Sequence, residues 1–239
     1  MPTIERGGVH LFFDDAGSGL PVVFHTGGAG SSAMWRAGGY VERLSGFRRI
    51  LFDHRGRGRS DRPTDPAAHR VSEYVDDVSA LAEHLALERY AFFGYSFGGL
   101  IGLELAARDP RVAALVVLGT IFDPPDVEPT TSVYDEPVRV GGMETVVDTM
   151  ERDEGLVLPG WLRDEFLSTD PRQFVLTIDV NATDPDPWNA LETIRARTVL
   201  IAGGDEDPND VQEVMARRIP NARSVHVAGV GHVGAFLRP

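Results

Sequence analysis

Seven apolar runs, each five to eight residues long and most of them separated by helix-like segments, constrain this chain more than any other feature. VHLFF (9–13) and PVVFHT (21–26) flank the turn signal DDAGSG, which suits a hairpin-like antiparallel start to a sheet. From there RRILFD (48–53), RYAFFG (89–94), VAALVVLG (112–119), TVLIAG (198–203) and RSVHVA (223–228) are rich in branched or aromatic residues, as in strands buried on both faces. Between two of them, SEYVDDVSALAEHLAL (72–87) brings Val75, Val78, Leu81, Ala82 and Leu85 to one helical face. Ser72 can cap that helix, and Glu73, Asp76 and Asp77 suit its positive N-terminal end. This alternation predicts an α/β fold, a mostly parallel central sheet flanked by helices, with ligands bound beyond the carboxyl ends of the strands.

The rhythm breaks between Ile121 and Ile194, where Pro-rich DPPDVEP leads into the helix-like pieces GGMETVVDTMERD, WLRDEFLS and PRQFVLTIDVNA. A helical insertion over 122–194, set within a core of 1–121 and 195–239, is expected to lie over the active end of the sheet as a lid. One domain with an insertion also suits 239 residues better than two independent domains.

A formal charge of −13 disfavours nucleic acid and anionic membrane surfaces as partners. The absence of cysteine excludes disulfides, thiolate catalysis and Cys-ligated metals. The N-terminus MPTIERGGVH has no apolar signal core, and VAALVVLGTIF (112–122) is too short to span a bilayer, so a soluble cytoplasmic protein is expected.

Chemistry enters at Gly94-Tyr95-Ser96-Phe97-Gly98, a G-x-S-x-G pattern with a predicted strand before it and a predicted helix after it. A serine in a tight strand–helix contact is the bland reading. The chemical reading is a strained turn that projects the hydroxyl into open space, with the Phe97 amide as one oxyanion donor at a helix N-terminus. Such a serine needs a base. Of seven histidines, His232 in VAGVGHVGAF follows the last predicted strand, at the same sheet end as Ser96. His226 reads as a packed strand residue, His84 belongs to the helix pattern, His10 and His69 lack supporting context, and His25 and His54 suggest loop-shaping roles. The base needs an acid. LIAGGDEDPND offers Asp205, Glu206 and Asp207 on the loop after the penultimate strand. Asp207 is favoured although Asp207-Pro208 also spells a helix N-cap. A second oxyanion donor is expected from HTGGAGSS, at Gly28 or next to it at Gly27. A phosphate cradle is the rival there, but neither G-K-[ST] nor G-x-G-x-x-G is present.

VVFHTGGAGSS, FDHRGRGRSDRP, GYSFGG, GGDEDP and GVGHVGAF occur in an order that resembles the α/β-hydrolase family across almost the whole chain. The resemblance implies Ser96 as nucleophile, Asp207 as acid and His232 as base. It implies a structural loop at FDHRGRGRSDRP, after the fourth strand of that fold, and places the insertion after the sixth. The compact insertion is similar to the cap of enol-lactonases of the β-ketoadipate type. Two features depart from the pattern. His25-Thr26-Gly27-Gly28 replaces the more usual His-Gly pair, and only VGAFLRP follows His232, so either the chain is incomplete or another surface covers that part. The expected activity is serine hydrolysis of a small carboxylic ester or lactone without metal or cofactor, with a small-molecule substrate as the expected partner. Carbon–carbon, amide or peroxidase-like chemistry and a non-catalytic sensor are the rivals. Trp161, Phe166 and Trp188 are candidate apolar substrate contacts, packing of the cap's own core being the other reading of each.

Overall fold

Alternating burial along the strands separates two hydrophobic cores, one on each face of an eight-stranded sheet. The computed structural model describes residues 2–120, 132–181, 188–205 and 211–239. In chain order the elements are β1 (Thr3–Arg6), β2 (Val9–Ala16), β3 (Pro21–His25), α1 (Ala33–Ala37), α2 (Tyr40–Arg43), β4 (Arg48–Phe52), α3 (Val71–His84), β5 (Tyr90–Tyr95), α4 (Phe97–Arg108) and β6 (Val112–Leu118). They continue with α5 (Asp135–Glu154), α6 (Gly160–Leu167), α7 (Pro171–Asn181), α8 (Trp188–Leu191), β7 (Arg197–Gly203), α9 (Val211–Arg218), β8 (Ala222–Val227) and α10 (His232–Phe236). The sheet order is β1-β2-β4-β3-β5-β6-β7-β8, antiparallel from β1 through β4 and parallel beyond.

Val23, Ile50, Phe52, Phe92 and Val117 point into the first core, against α3, α4, α8 and α9. Their strand neighbours Phe24, Leu51, Tyr95 and Leu118 point into the second, against α1, α2, α5, α6, α7 and α10. After β3 the chain crosses to β4 on one side, then returns to β5 on the other, so the carboxyl ends of β3 and β5 form the switch point where α/β sheets bind ligands.

Three expectations need correction. Ser72 does not cap α3: that helix begins at Val71 and continues a 3-10 turn over Pro66–His69, whose own cap is the Asp65 carboxylate. The RSVHVA strand is not buried on both faces, because β8 is the sheet edge and no residue of it is fully buried; His226 is exposed. The glycine-flanked stretch around His232 reads as a loop after the last strand, but His232 opens the short helix α10. The strand β1 has too little apolar sequence to be read in advance. It is held by pairing with β2 and by Arg6, which donates to Asp77 (2.6 Å) and Glu73 (2.5 Å) on α3. Among the described residues no helix is long and apolar enough to cross a membrane.

Candidate active site

Ser96 is the turn between β5 and α4, and its backbone sits at φ 54°, ψ −118°, in a region that non-glycine residues occupy only when their surroundings impose it. The surroundings do so. Ser96 N–H donates to Leu118 O (2.7 Å), and the Thr120 hydroxyl donates to Ser96 O (2.6 Å). A β-carbon on Gly94 would collide with the Gly98 carbonyl, and one on Gly98 with the carbonyls of His25 and Thr26, so strand, turn and loop can close together only with glycine at both positions. Phe97 supplies the first amide of α4, a position without an intrahelical acceptor, while its ring is buried beside His54 and Tyr74.

The loop after β3 lies against this serine. A β-carbon on Gly27 would stand 3.1 Å from Ser96 Cβ and 3.6 Å from its Oγ, so Gly27 borders the hydroxyl directly. Gly28 comes next and faces α7, where a β-carbon would meet the Phe174 ring at 3.3 Å and the Thr177 methyl at 3.6 Å. Three hydrogen bonds tie this loop to the helical segment between β6 and β7: Gly30 N–H donates to Thr169 Oγ1 (2.9 Å), and Ser31 donates to Glu165 Oε2 from N–H (3.0 Å) and hydroxyl (2.8 Å).

His232 occupies the same rim. Its ring stacks on Tyr95, the residue before Ser96, with centroids 5.0 Å apart and planes 27° from parallel. A β-carbon on Gly119 would stand 2.9 Å from the ring's Cε1 and Nδ1, and Gly119 follows the Leu118 that accepts from Ser96. Glu154, the last residue of α5, accepts from Val233 N–H (2.7 Å) and Gly234 N–H (2.9 Å) and so holds the turn that carries His232. Asp207 lies outside the described residues. Its loop begins beside the one leading to His232: Gly204 N–H donates to Val227 O (2.9 Å) and Asp205 N–H to Val230 O (3.1 Å).

The other histidines are placed for structure. His25 and His54 stack in parallel, 4.7 Å between centroids, and both are fully buried. Burial pushes His25 down to about 4 and His54 well below its ordinary range, so both rings are neutral. His25 Nδ1 lies 2.9 Å from Thr26 O and His54 Nε2 lies 3.1 Å from Gly27 O, which ties them to the loop at the site, as their sequence context suggests. His69 is buried against Tyr74 and Pro63, and His10 pairs with Asp61 on the surface. Of the four arginines in FDHRGRGRSDRP, Arg55 and Arg57 are internal braces, Arg55 being paired with Asp77 (2.7 Å).

Among the candidate substrate contacts, Phe166 is buried in the second core, and its ring would meet a β-carbon on Gly30 at 3.6 Å. Trp161 packs partly buried against the same core. Trp188 is not brought to this rim. It is buried in the first core, with the Arg218 guanidinium 5.2 Å from its ring centroid. Arg218 ends α9, which returns toward the amino ends of the strands, so Trp188 packs away from Ser96.

A family model described as alpha/beta hydrolase fold matches residues 21–169, which span the elbow, the β3 loop and much of the helical segment. The chain belongs to that family. Relatives of this alpha/beta hydrolase include RutD of Azorhizobium caulinodans, provisionally named a carbamate hydrolase, 26% identical over 100% of this chain and 94% of the relative. A thermophilic esterase from Thermogutta terrifontis superposes with TM-score 0.79 at 27% identity, covering 99% of this chain and 92% of the other. The enol-lactonase from Burkholderia xenovorans LB400 superposes with TM-score 0.83 at 24% identity, covering 99% and 95%.

Glu154, Glu165, Thr169 and Arg57 escape sequence reasoning. Glu165 sits within a helix-like piece and Glu154 and Thr169 just beyond the ends of two of them, with no motif around any of the three, and only the fold brings them to the loops they hold. Arg57 carried a signal, a charge set between two glycines in a short loop, but the loop's resemblance to a structural element hid it.

Proposed function

We propose that this alpha/beta hydrolase is a serine esterase or lactonase, cleaving a small carboxylic ester through an acyl-enzyme intermediate. The carrying observation is the convergence at one rim of a strained serine, a glycine loop bordering its hydroxyl and an imidazole stacked on the neighbouring Tyr95. In this reading Ser96 Oγ attacks the substrate carbonyl carbon as His232 takes the hydroxyl proton. The Phe97 and Gly28 amides stabilise the charge that moves onto the carbonyl oxygen, with Gly27 shaping the approach. When the carbon–oxygen bond breaks, His232 returns the proton to the departing alkoxide, which in a lactone stays tethered to the acyl group. His232 then takes a proton from water, whose oxygen attacks the acyl carbon, and passes that proton to Ser96 Oγ as the acyl bond to it breaks, releasing the carboxylic acid. Asp207 orients and stabilises the charged imidazole.

The helices α5, α6 and α7 serve as the cap in this reading, and residues 122–194 form the inserted unit. The apolar character of their contact with the site, through Phe166 and Phe174, favours small uncharged acyl groups. The esterase and enol-lactonase likenesses support ester chemistry, and the RutD relative makes carbamates the comparison substrate.

The test is a panel of chromogenic esters, lactones and carbamates matched in acyl size, assayed with wild type and S96A. Ester or lactone turnover should exceed carbamate turnover, and S96A should lose on the order of 10³-fold or more in kcat. Equal rates for wild type and S96A on every substrate would refute the proposal. Ligand-induced thermal stabilisation without turnover would point instead to a sensor.

A further inference from the structure

Arg57 is a deeply buried cation. It is 1% exposed, as deeply buried as Arg55, yet among the described residues it forms no ion pair, whereas Arg55 is matched by Asp77. The hydrogen bonds that Arg57 makes all go to neutral oxygens. Nε donates to Gly28 O (2.7 Å), and Nη2 donates to the same carbonyl. Nη1 donates to Gly56 O (2.9 Å), and Nη2 also reaches Thr177 Oγ1 (2.9 Å) and Gln173 O (3.3 Å) on α7. Burying a charge this way is unfavourable, and it pushes the guanidinium down to about 10, which still leaves it charged at neutral pH. Asp170, across a cavity of about 170 Å³ that both residues line, offsets that shift only in part. A surface arginine or a neutral side chain would serve simple packing without this cost.

The carbonyl that Arg57 grips belongs to the peptide between Gly28 and Ala29, and the preceding carbonyl, Gly27 O, faces His54. In a trans peptide N–H and C=O point in opposite directions, so holding these two carbonyls also fixes where the Gly28 and Ala29 amides point. A cation on Gly28 O also polarises the peptide whose N–H is that of Ala29, next to the Gly28 amide, and strengthens that N–H as a donor. The charge is felt around the loop: it is one cause of the lowered pKa of both His25 and His54.

We infer that Arg57 is a positioning residue for the oxyanion loop, fixing the peptides at Gly28 against α7 and keeping a permanent positive charge behind them. This rests on the serine-hydrolase reading of the site, and it adds that a buried side chain behind the loop sets how well the loop receives a developing negative charge. Such a residue should matter more to the transition state than to the substrate.

The experiment compares wild type, R57K and R57M with a chromogenic ester and with a trifluoromethyl ketone, whose adduct with serine carries the oxyanion. Rates are expressed per active site titrated with a fluorophosphonate, and folding is checked by thermal unfolding. R57M should lose on the order of 10- to 100-fold in kcat and a similar factor in ketone affinity, with KM within about threefold of wild type. R57K, keeping the charge without the two-pronged grip, should fall between. A folded R57M with kcat and ketone affinity unchanged would overturn the inference, as would a rise in KM alone. If R57M fails to fold, R57K decides by the same criteria, since a simple structural brace would lower its melting temperature and leave kcat per active site intact. Wild type inert to ester, ketone and fluorophosphonate alike would defeat the hydrolase reading itself and the inference with it, a result distinct from an active wild type with an indifferent R57M.

Discussion

Single residues at the rim have separable tasks, and the assignments differ in what they predict. If His232 is the base, kcat/KM falls on acidification as its imidazole gains a proton, because a protonated ring cannot accept the serine hydrogen. A pH–rate profile flat through that titration would contradict the role. Glu154 touches only the backbone of the His232 turn, so E154A should leave two amides of α10 without their carboxylate and let the base drift. A loss on the order of tenfold in kcat/KM is expected, measured at a pH where His232 is neutral. Gly27 offers the opposite case, an added group instead of a missing one. The methyl of G27A would sit beside the Ser96 hydroxyl, and it should lower kcat/KM by at least about tenfold with a melting temperature close to wild type.

Elements show where sequence reasoning reaches and where it stops. The elbow was legible because its chemistry is local: Gly94, Ser96 and Gly98 announce a strand running tightly into a helix, and each glycine is required by a carbonyl that a side chain would strike. The placement of His232 at the same rim as Ser96 was legible from its position after the last strand. The β8 run looked like a buried strand because composition does not reveal position in the sheet, and an edge strand with exposed faces can carry the same valines. Trp188 was misplaced for a related reason. An aromatic residue in the helical stretch between β6 and β7 could face either core, and only the packing of α8 against α4 and α9 decides it. The ties from α5, α6 and the turn after α6 to the two site loops join residues 79 to 139 positions apart, a separation at which no local pattern operates.

At the scale of the whole molecule, two neutral histidines buried under the site link acid sensitivity to folding. The pKa of His25 falls from its ordinary 6.5 to about 4 in the fold, so the unfolded chain binds the proton first as pH drops. Stability should therefore be fully present above about 6.5 and decline toward pH 4, by on the order of 3 kcal/mol for His25 alone. Asp109, whose carboxyl is lowered from 3.8 by its bonds to Arg111 and Tyr90 despite the opposing effect of burial, loses its contribution only below that window. Urea unfolding at pH 7 and pH 4.5 should show a large loss in wild type and a smaller one in H25Q. Equal losses would mean that His25 is not a neutral buried ring. The fold as a whole therefore keeps its switch-point crevice by burying polar groups beneath it, with His25, His54 and Arg57 all serving the loop that borders Ser96.

The central claim is that Ser96 becomes covalently acylated during turnover. Rapid acid quenching of the protein with a slowly released ester, followed by peptide mass spectrometry, should find the acyl group on the peptide containing Ser96 and on no other, and should find none in S96A. Acyl label on a different residue, or steady ester turnover by S96A at the wild-type rate, would contradict the account.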